Sequence, residues 1–178
     1  KVTVVGILSA DVNLNLPDVR SPERTFQLLT QVAGRAGRAD RPGEVFIQTY
    51  VPTNYALVSA ANYDHDAFYR QEIAYRREKH YPPVWHDLHI QFSGFRRDET
   101  LHKAHQVHDF LVGRYSGLVI DGPSPSVIER MNRRYRFSLL LRSPERLLLE
   151  EAGRSVMQEF PTTEDLWITV TPDPISVY

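Results

Sequence analysis

The amino-acid sequence predicts two fold classes in succession, an α/β segment built on a parallel sheet and then an α+β domain, with helices between them. Three observations carry that expectation. The chain opens on the nearly continuous β-branched run Val2-Thr3-Val4-Val5-Gly6-Ile7-Leu8, the pattern of a strand covered on both faces. Residues 54–61 and 63–80 read as helices, closed by Tyr81-Pro82-Pro83 because a residue before proline avoids the helical region. Beyond Val84, the residues Leu88, Ile90 and Phe92 alternate with His89, Gln91 and Ser93, as in a strand with one buried face. The expected boundaries are 1–52, 53–83 and 84–178.

Composition sets limits on function. With 178 residues, 42% of them hydrophobic, the chain can bury about 70% of its unfolded surface, so disorder is not indicated. The formal net charge is only -1, and any nucleic-acid binding must come from local clusters rather than an overall basic field. Cysteine is absent, which excludes disulfides and cysteine-bound zinc within these residues and fits a reducing cytoplasm. No apolar run approaches the ~18 residues of a membrane span. Lys1 leads straight into an apolar strand with no signal-peptide pattern, which suggests a segment of something longer, cut inside a domain.

In chain order, Asp11 follows the first strand in a loop, where nucleotide-handling residues sit in parallel sheets. Ser21-Pro22-Glu23 reads as an N-cap, a proline at the first helical position and an acid in the first turn, so a helix should run from about 22 to 36. Val45 to Tyr50 form the next strand, giving about one third of a doubly wound lobe. In the last segment a helix is expected at 98–113, with Leu101, Ala104, Val107, His108 and Leu111 on one stripe. Val119 and Ile120 begin a strand that Asp121-Gly122-Pro123-Ser124-Pro125 should break. Tyr135, Phe137, Leu139 and Leu141 alternate through another strand. A helix starting at Ser143-Pro144-Glu145-Arg146 runs to Phe160, and Leu166 to Val170 close the order β-α-β-β-α-β of a ferredoxin-like split βαβ sheet.

The octet Gln31-Val32-Ala33-Gly34-Arg35-Ala36-Gly37-Arg38 has a spacing that chemistry would choose. At about 100° per residue, Gln31, Arg35 and Arg38 fall on one side of a helix, presenting an amide and two permanently charged planar forks suited to a polyphosphate. The glycines mark a close approach of backbone or ligand, or a left-handed helix end. A frayed helix end with solvated arginines would show the same letters.

Other constellations have plainer readings beside the chemical ones. His102, His105 and His108 turn by about 60° from one to the next, so they suit a single ion poorly, and His86 and His89 face opposite sides of a strand. No metal site is expected. Arg130, Arg133, Arg134 and Arg136, interleaved with Asn132 and Tyr135, offer bidentate phosphate contacts and one aromatic for stacking. A hairpin edge protected by charge reads equally well. No Gly-Lys pair occurs, so these residues include no phosphate-binding P-loop and should not hydrolyse ATP alone.

Taken together, Ala10-Asp11, Pro17-Asp18-Val19-Arg20, Glu23-Arg24, Gln27-Leu28, the octet and Arg41-Pro42-Gly43 resemble the end of the second motor lobe in the PriA family of replication-restart helicases. The octet is similar to that family's motif VI, Q-x-x-G-R-x-x-R. The run from Phe68 to Arg77, ending in Tyr81-Pro82-Pro83, resembles the same family and not helicases in general. The resemblance implies a 3′-to-5′ DNA helicase. Gln31, Gly34, Arg35 and Arg38 would contact ATP, with Arg35 and Arg38 as catalytic arginine fingers. ATP and magnesium would be held by the intact parent, none of them by this chain alone, and the family's zinc sites would lie upstream. It also implies contact with forked or single-stranded DNA, with other primosome proteins, with the missing N-terminal part of its own chain, and, through Arg146, with the acidic tail of single-stranded-DNA-binding protein. Glu150 lies one turn beyond Arg146 on the same face, where an acid would repel such a tail. The competing expectation is a non-catalytic DNA- and protein-binding adaptor.

Overall fold

The computed structural model describes residues 3–16, 18–38 and 41–174, with no side-chain description at 37, 38, 41 and 42. Two compact units divide it, Lys1–Tyr75 and Arg76–Tyr178.

The first unit contains β1 (Val4–Ile7), α1 (Asp11–Leu14), α2 (Ser21–Ala33), β2 (Gly37–Arg38), β3 (Arg41–Pro42), β4 (Glu44–Ile47), α3 (Tyr55–Ala61) and most of α4 (His65–Glu78). β1 and β4 pair in parallel, from Val4 opposite Glu44 to Ile7 opposite Ile47. The expected parallel sheet is therefore present, although Val2 lies outside the described residues. Burial on both faces is not. Ile7 and Ile47 pack against Phe26, Leu29, Ala56, Leu57 and Phe68, whereas Val4 and Phe46 on the other side are 57% and 60% exposed. Helices cover one face of this strand pair, so its other β-branched and aromatic side chains stay in solvent.

Ser21 does not cap α2 but opens it. Arg20 holds the cap position without a side-chain cap bond, and Asp18 closes the turn ahead of it, its Oδ1 taking the Arg20 N–H at 2.8 Å and its Oδ2 taking Arg24 at 2.7 Å, while Ser21 Oγ donates back to the Leu16 carbonyl at 3.0 Å. An acid just ahead of the first turn complements the positive helix end. α3 starts on an orthodox cap, with Asn54 Oδ1 accepting from Ala56 N at 2.9 Å. α4 seats Phe68 on Phe26 with ring centroids 4.2 Å apart, and Glu72 accepts from the Tyr55 hydroxyl at 2.5 Å. Along α4, Phe68 is buried while Tyr69 and Tyr75 are exposed.

The second unit contains β5 (His86–Gly94), α5 (Arg97–Arg114), β6 (Val119–Met131), β7 (Arg134–Ser143), α6 (Arg146–Glu159) and β8 (Leu166–Pro172). Its sheet has the order β6-β7-β5-β8 with every neighbouring pair antiparallel, so the two β-α-β connections interleave as in a split βαβ unit. Period-two alternation puts Leu88, Ile90, Phe92, Phe137, Leu139 and Leu141 on one face. α5 covers them with Ala104, Val107 and Leu111, and α6 with Leu149, Ala152 and Val156. Both helices thus lie on the same face, and the opposite face is left to mainly polar side chains. β6 does not stop at Asp121 as expected. It runs on to Met131 through two irregularities in its pairing with β7, and Gly122, at φ 104°, supplies backbone that an L side chain rarely adopts.

The letters Ser-Pro-Glu-Arg occur twice with different outcomes. At 21–24 they begin a helix, whereas at 143–146 Ser143 ends β7, its Oγ accepts the Glu145 N–H at 3.1 Å, and α6 starts only at Arg146. Pairing of Ser143 with His86 holds the second copy in the sheet.

Candidate functional site

The octet does not form one helical face. α2 ends at Ala33 and Gly34 comes next at φ -64° and ψ -13°, a right-handed end, so of the two readings open for the glycines the left-handed helix end does not apply to Gly34. Gly34 N still donates to Thr30 O at 2.9 Å, but Arg35 N reaches only Val32 O at 3.1 Å, a tighter turn. The chain then leaves the axis because Gly37–Arg38 pairs with Arg41–Pro42 as an antiparallel ladder. Gln31 therefore sits in the last helical turn, Arg35 in the turn beyond it, and the backbone of Arg38 in β2. Gln31, Gly34 and Arg35 are exposed, and the Arg38 side chain lies outside the described residues. Asp11 takes no part in this surface. It is buried, accepts from Thr49 Oγ1 at 2.6 Å and from Tyr50 N at 3.0 Å, and these bonds hold its carboxyl below the usual range while tying the ends of the two parallel strands together.

The arginine cluster at 130–136 also divides. Asn132 and Arg133, at φ 53° and 65°, make the two-residue turn between β6 and β7, so Arg133 stands at the exposed tip. Arg130 pairs with Tyr135 on the helix-bearing side, its guanidinium carbon 5.2 Å from the ring centroid. Arg136 points to the opposite side, donating to Met131 Sδ at 3.7 Å. Arg134 is buried and leaves the nucleic-acid set. Its guanidinium donates to the carbonyls of Ser93 at 3.1 Å, Asp165 at 3.1 Å and Glu164 at 2.8 Å. The same group lies between two rings, 4.0 Å from the centroid of Phe95 and 3.8 Å from that of Trp167. Three of its five donors are spent on carbonyls, and a buried fork stacked on two rings presents little to a phosphate. It instead fixes Trp167, 49% exposed, at one end of the open sheet face.

Along that face run His89 and Gln91 from β5, Arg136, Ser138 and Arg142 from β7, and Trp167, Thr169 and Thr171 from β8, placed there by the pairing register. Arg142 is bonded to Asp121, with its guanidinium carbon 5.8 Å from the Tyr81 ring centroid. Asp87 pairs with Arg142 across the strands, and burial drives its carboxyl up to about 6 despite that cation. A pocket of ≈ 210 Å³ opens beside His89, lined by Ser124, Ser126, Ser138 and Leu140. Parity along β5 and β7 was a signal that could have assigned these residues to one surface, but Trp167 and His89 carried no motif to prompt the question.

Arg146 is exposed at the start of α6 and its Nε donates to Glu150 Oε1 at 2.9 Å, the anticipated neighbour. Leu147 beside it is 76% exposed. Among the described residues no group of three or more His, Asp or Glu side chains is placed to hold a metal ion.

Residues 77–175 match the family model described as the primosomal protein N C-terminal domain, which puts the second unit in the class of primosomal proteins. The relatives extend the match to the first unit. The replication restart protein PriA of Bacillus subtilis is 39% identical over 89% of the chain, that of Treponema pallidum 35% over 98%, and that of Synechocystis 33% over 99%. The chain covers 20%, 27% and 21% of these proteins respectively, so it spans about a quarter of their length or less. The chain belongs to the PriA family of replication restart proteins. No described helix is long and apolar enough to cross a membrane.

Proposed function

We propose that this chain is the C-terminal portion of an ATP-dependent 3′-to-5′ DNA helicase acting in replication restart at stalled forks, in the cytoplasm. The observation that carries the reading is that similarity to PriA runs through both units rather than through one shared motif. In this reading the first unit is the end of the second motor lobe. Gln31, Gly34, Arg35 and Arg38 would reach ATP, which the rest of the intact protein would hold together with magnesium, and Arg35 and Arg38 would act as arginine fingers that neutralise charge developing on the transferred phosphoryl group. The exposed turn beyond α2 supports this, because it leaves Gln31 and Arg35 free to meet a ligand.

The second unit has a ferredoxin-like sheet and meets DNA. Its open face combines cations that contact phosphates without reading sequence and a ring on which a base stacks, the mixture that single-stranded nucleic acid requires. Arg133 and Arg136 supply charge there, Arg130 supplies it from the other side of the hairpin, and Trp167 supplies the ring in place of Tyr135. Arg146, with apolar Leu147 beside it, meets the acidic tail of single-stranded-DNA-binding protein. Fluorescence anisotropy of the 178-residue chain with labelled forked DNA tests the DNA-binding half. Affinity should fall with rising salt, and Arg133→Ala with Arg136→Ala should reduce the salt slope by about 2. Binding that ignores both changes removes the open face from the reading.

A further inference from the structure

Resting on that DNA-binding reading, we propose that the pocket beside His89 is a receptor for one unpaired nucleobase of a single strand lying across the open sheet face. The imidazole Nε2 of His89 is buried and has no hydrogen-bond partner among the described residues, and His89 as a whole is only 8% exposed. Leaving such a group unpaired is costly, and a ligand donor or acceptor would relieve the penalty. The pocket beside it, at ≈ 210 Å³, is several times the ~30 Å³ that one water occupies in the liquid, enough for a planar ring system.

The lining selects for a neutral, flat ligand with a polar edge. Leu140, Pro125 and Val127 give apolar walls, while Ser124, Ser126 and Ser138 give hydroxyls. Ser126 and Ser138 already share a hydrogen bond of 2.9 Å, and each oxygen keeps further capacity to accept. A phosphate would be unwelcome inside, because the one charged group on the lining is the Asp121 carboxylate, itself bonded to Arg142. Phosphate has its own partner just outside. Arg136 precedes Ser138 by two residues in β7 and so shares its face. Burial and the charge of Arg136 both push the His89 imidazole below its usual range, so at neutral pH it is neutral and can face either a donor or an acceptor edge. Neutral edge inside and cation outside match one nucleotide of a strand, base inward and backbone outward.

The test compares two decamers on the 178-residue chain by anisotropy at one salt concentration, oligothymidine and a fully abasic strand with the same phosphates. Oligothymidine should bind more tightly, and His89→Phe, which keeps a ring but loses Nε2, should cut that preference by about fivefold, the worth of one hydrogen bond, while leaving the abasic strand unchanged. Should the variant fold poorly, the unsubstituted chain provides a second readout, since titration with thymidine monophosphate should shift the His89 ring nitrogen resonance in a long-range nitrogen-proton spectrum. A preference untouched by His89→Phe, or a ring resonance that stays put, overturns the pocket and leaves DNA binding by the arginines standing. Failure of both decamers to bind overturns the pocket and the DNA-binding reading together.

Discussion

Arg134→Ala should destabilise the second unit by about 3 kcal/mol, and the structure shows where that figure comes from. The guanidinium donates to three backbone carbonyls, and each hydrogen bond from a charged group contributes roughly 1.5–3 kcal/mol when its partner is left buried. Glu164 and Asp165 are exposed, so water can replace much of what their carbonyls lose, leaving the Ser93 bond and part of the other two. The contacts to Phe95 and Trp167 add about 0.5–1 kcal/mol each, both rings being close to half exposed. Arg134→Lys keeps the charge but not the fork and should lose about 2 kcal/mol. The assay is convenient because the chain has two tryptophans, Trp85 and Trp167, and both lie in the second unit. Urea unfolding monitored by tryptophan fluorescence therefore reports this unit alone. A loss below about 1 kcal/mol for Arg134→Ala would show that the guanidinium is not a structural staple, and would return it to the set of candidate DNA contacts.

Two further outcomes rest on the charged groups. The Asp87 carboxyl, half-buried among Arg142, Asp173, His86 and Asp121, is raised to about 6 from 3.8, so the folded state binds more protons than the unfolded chain between those values and stability falls as pH rises through that window. The stability of Asp87→Asn relative to the unsubstituted chain should therefore climb by about 1 kcal/mol from pH 4 to pH 6, after allowance for solvent screening, and then level off; a flat difference in urea titrations across that range contradicts it. Glu150→Gln releases Arg146 from its ion pair, and binding of an acidic tail peptide, read by calorimetry, should tighten about threefold; unchanged or weaker binding removes Arg146 as the docking cation.

Strand parity made the second unit legible. The alternation of Leu88, Ile90 and Phe92 and of Phe137, Leu139 and Leu141 specified which face is buried, and the order of elements came from helix and strand periods. The extension of β6 was not legible, because Gly122 and two prolines look like a break unless β7 is already beside them to hold the strand in register. The same limit applied to Arg134. Its neighbours in sequence suggest a basic patch, but its partners come from 30 to 41 residues away. At the octet, helical spacing was projected past the real helix end. Propensity alone could not announce that stop, since Gly34 keeps helical angles and the path of the chain beyond it is decided by the pairing of β2 with β3. The parallel pairing of β1 and β4 was readable, but one-sided burial was not, because a β-branched run looks alike whether one face or two are covered.

ATP turnover by the intact protein tests the motor reading most directly. With forked DNA present, changing Arg35 and Arg38 together to alanine should lower the turnover number by about 10³-fold or more while ATP still binds, as expected of groups that act on charge developing in the transition state. Turnover that persists undiminished with both guanidiniums gone would contradict the account, because no part of it allows the exposed turn beyond α2 to be a bystander to hydrolysis.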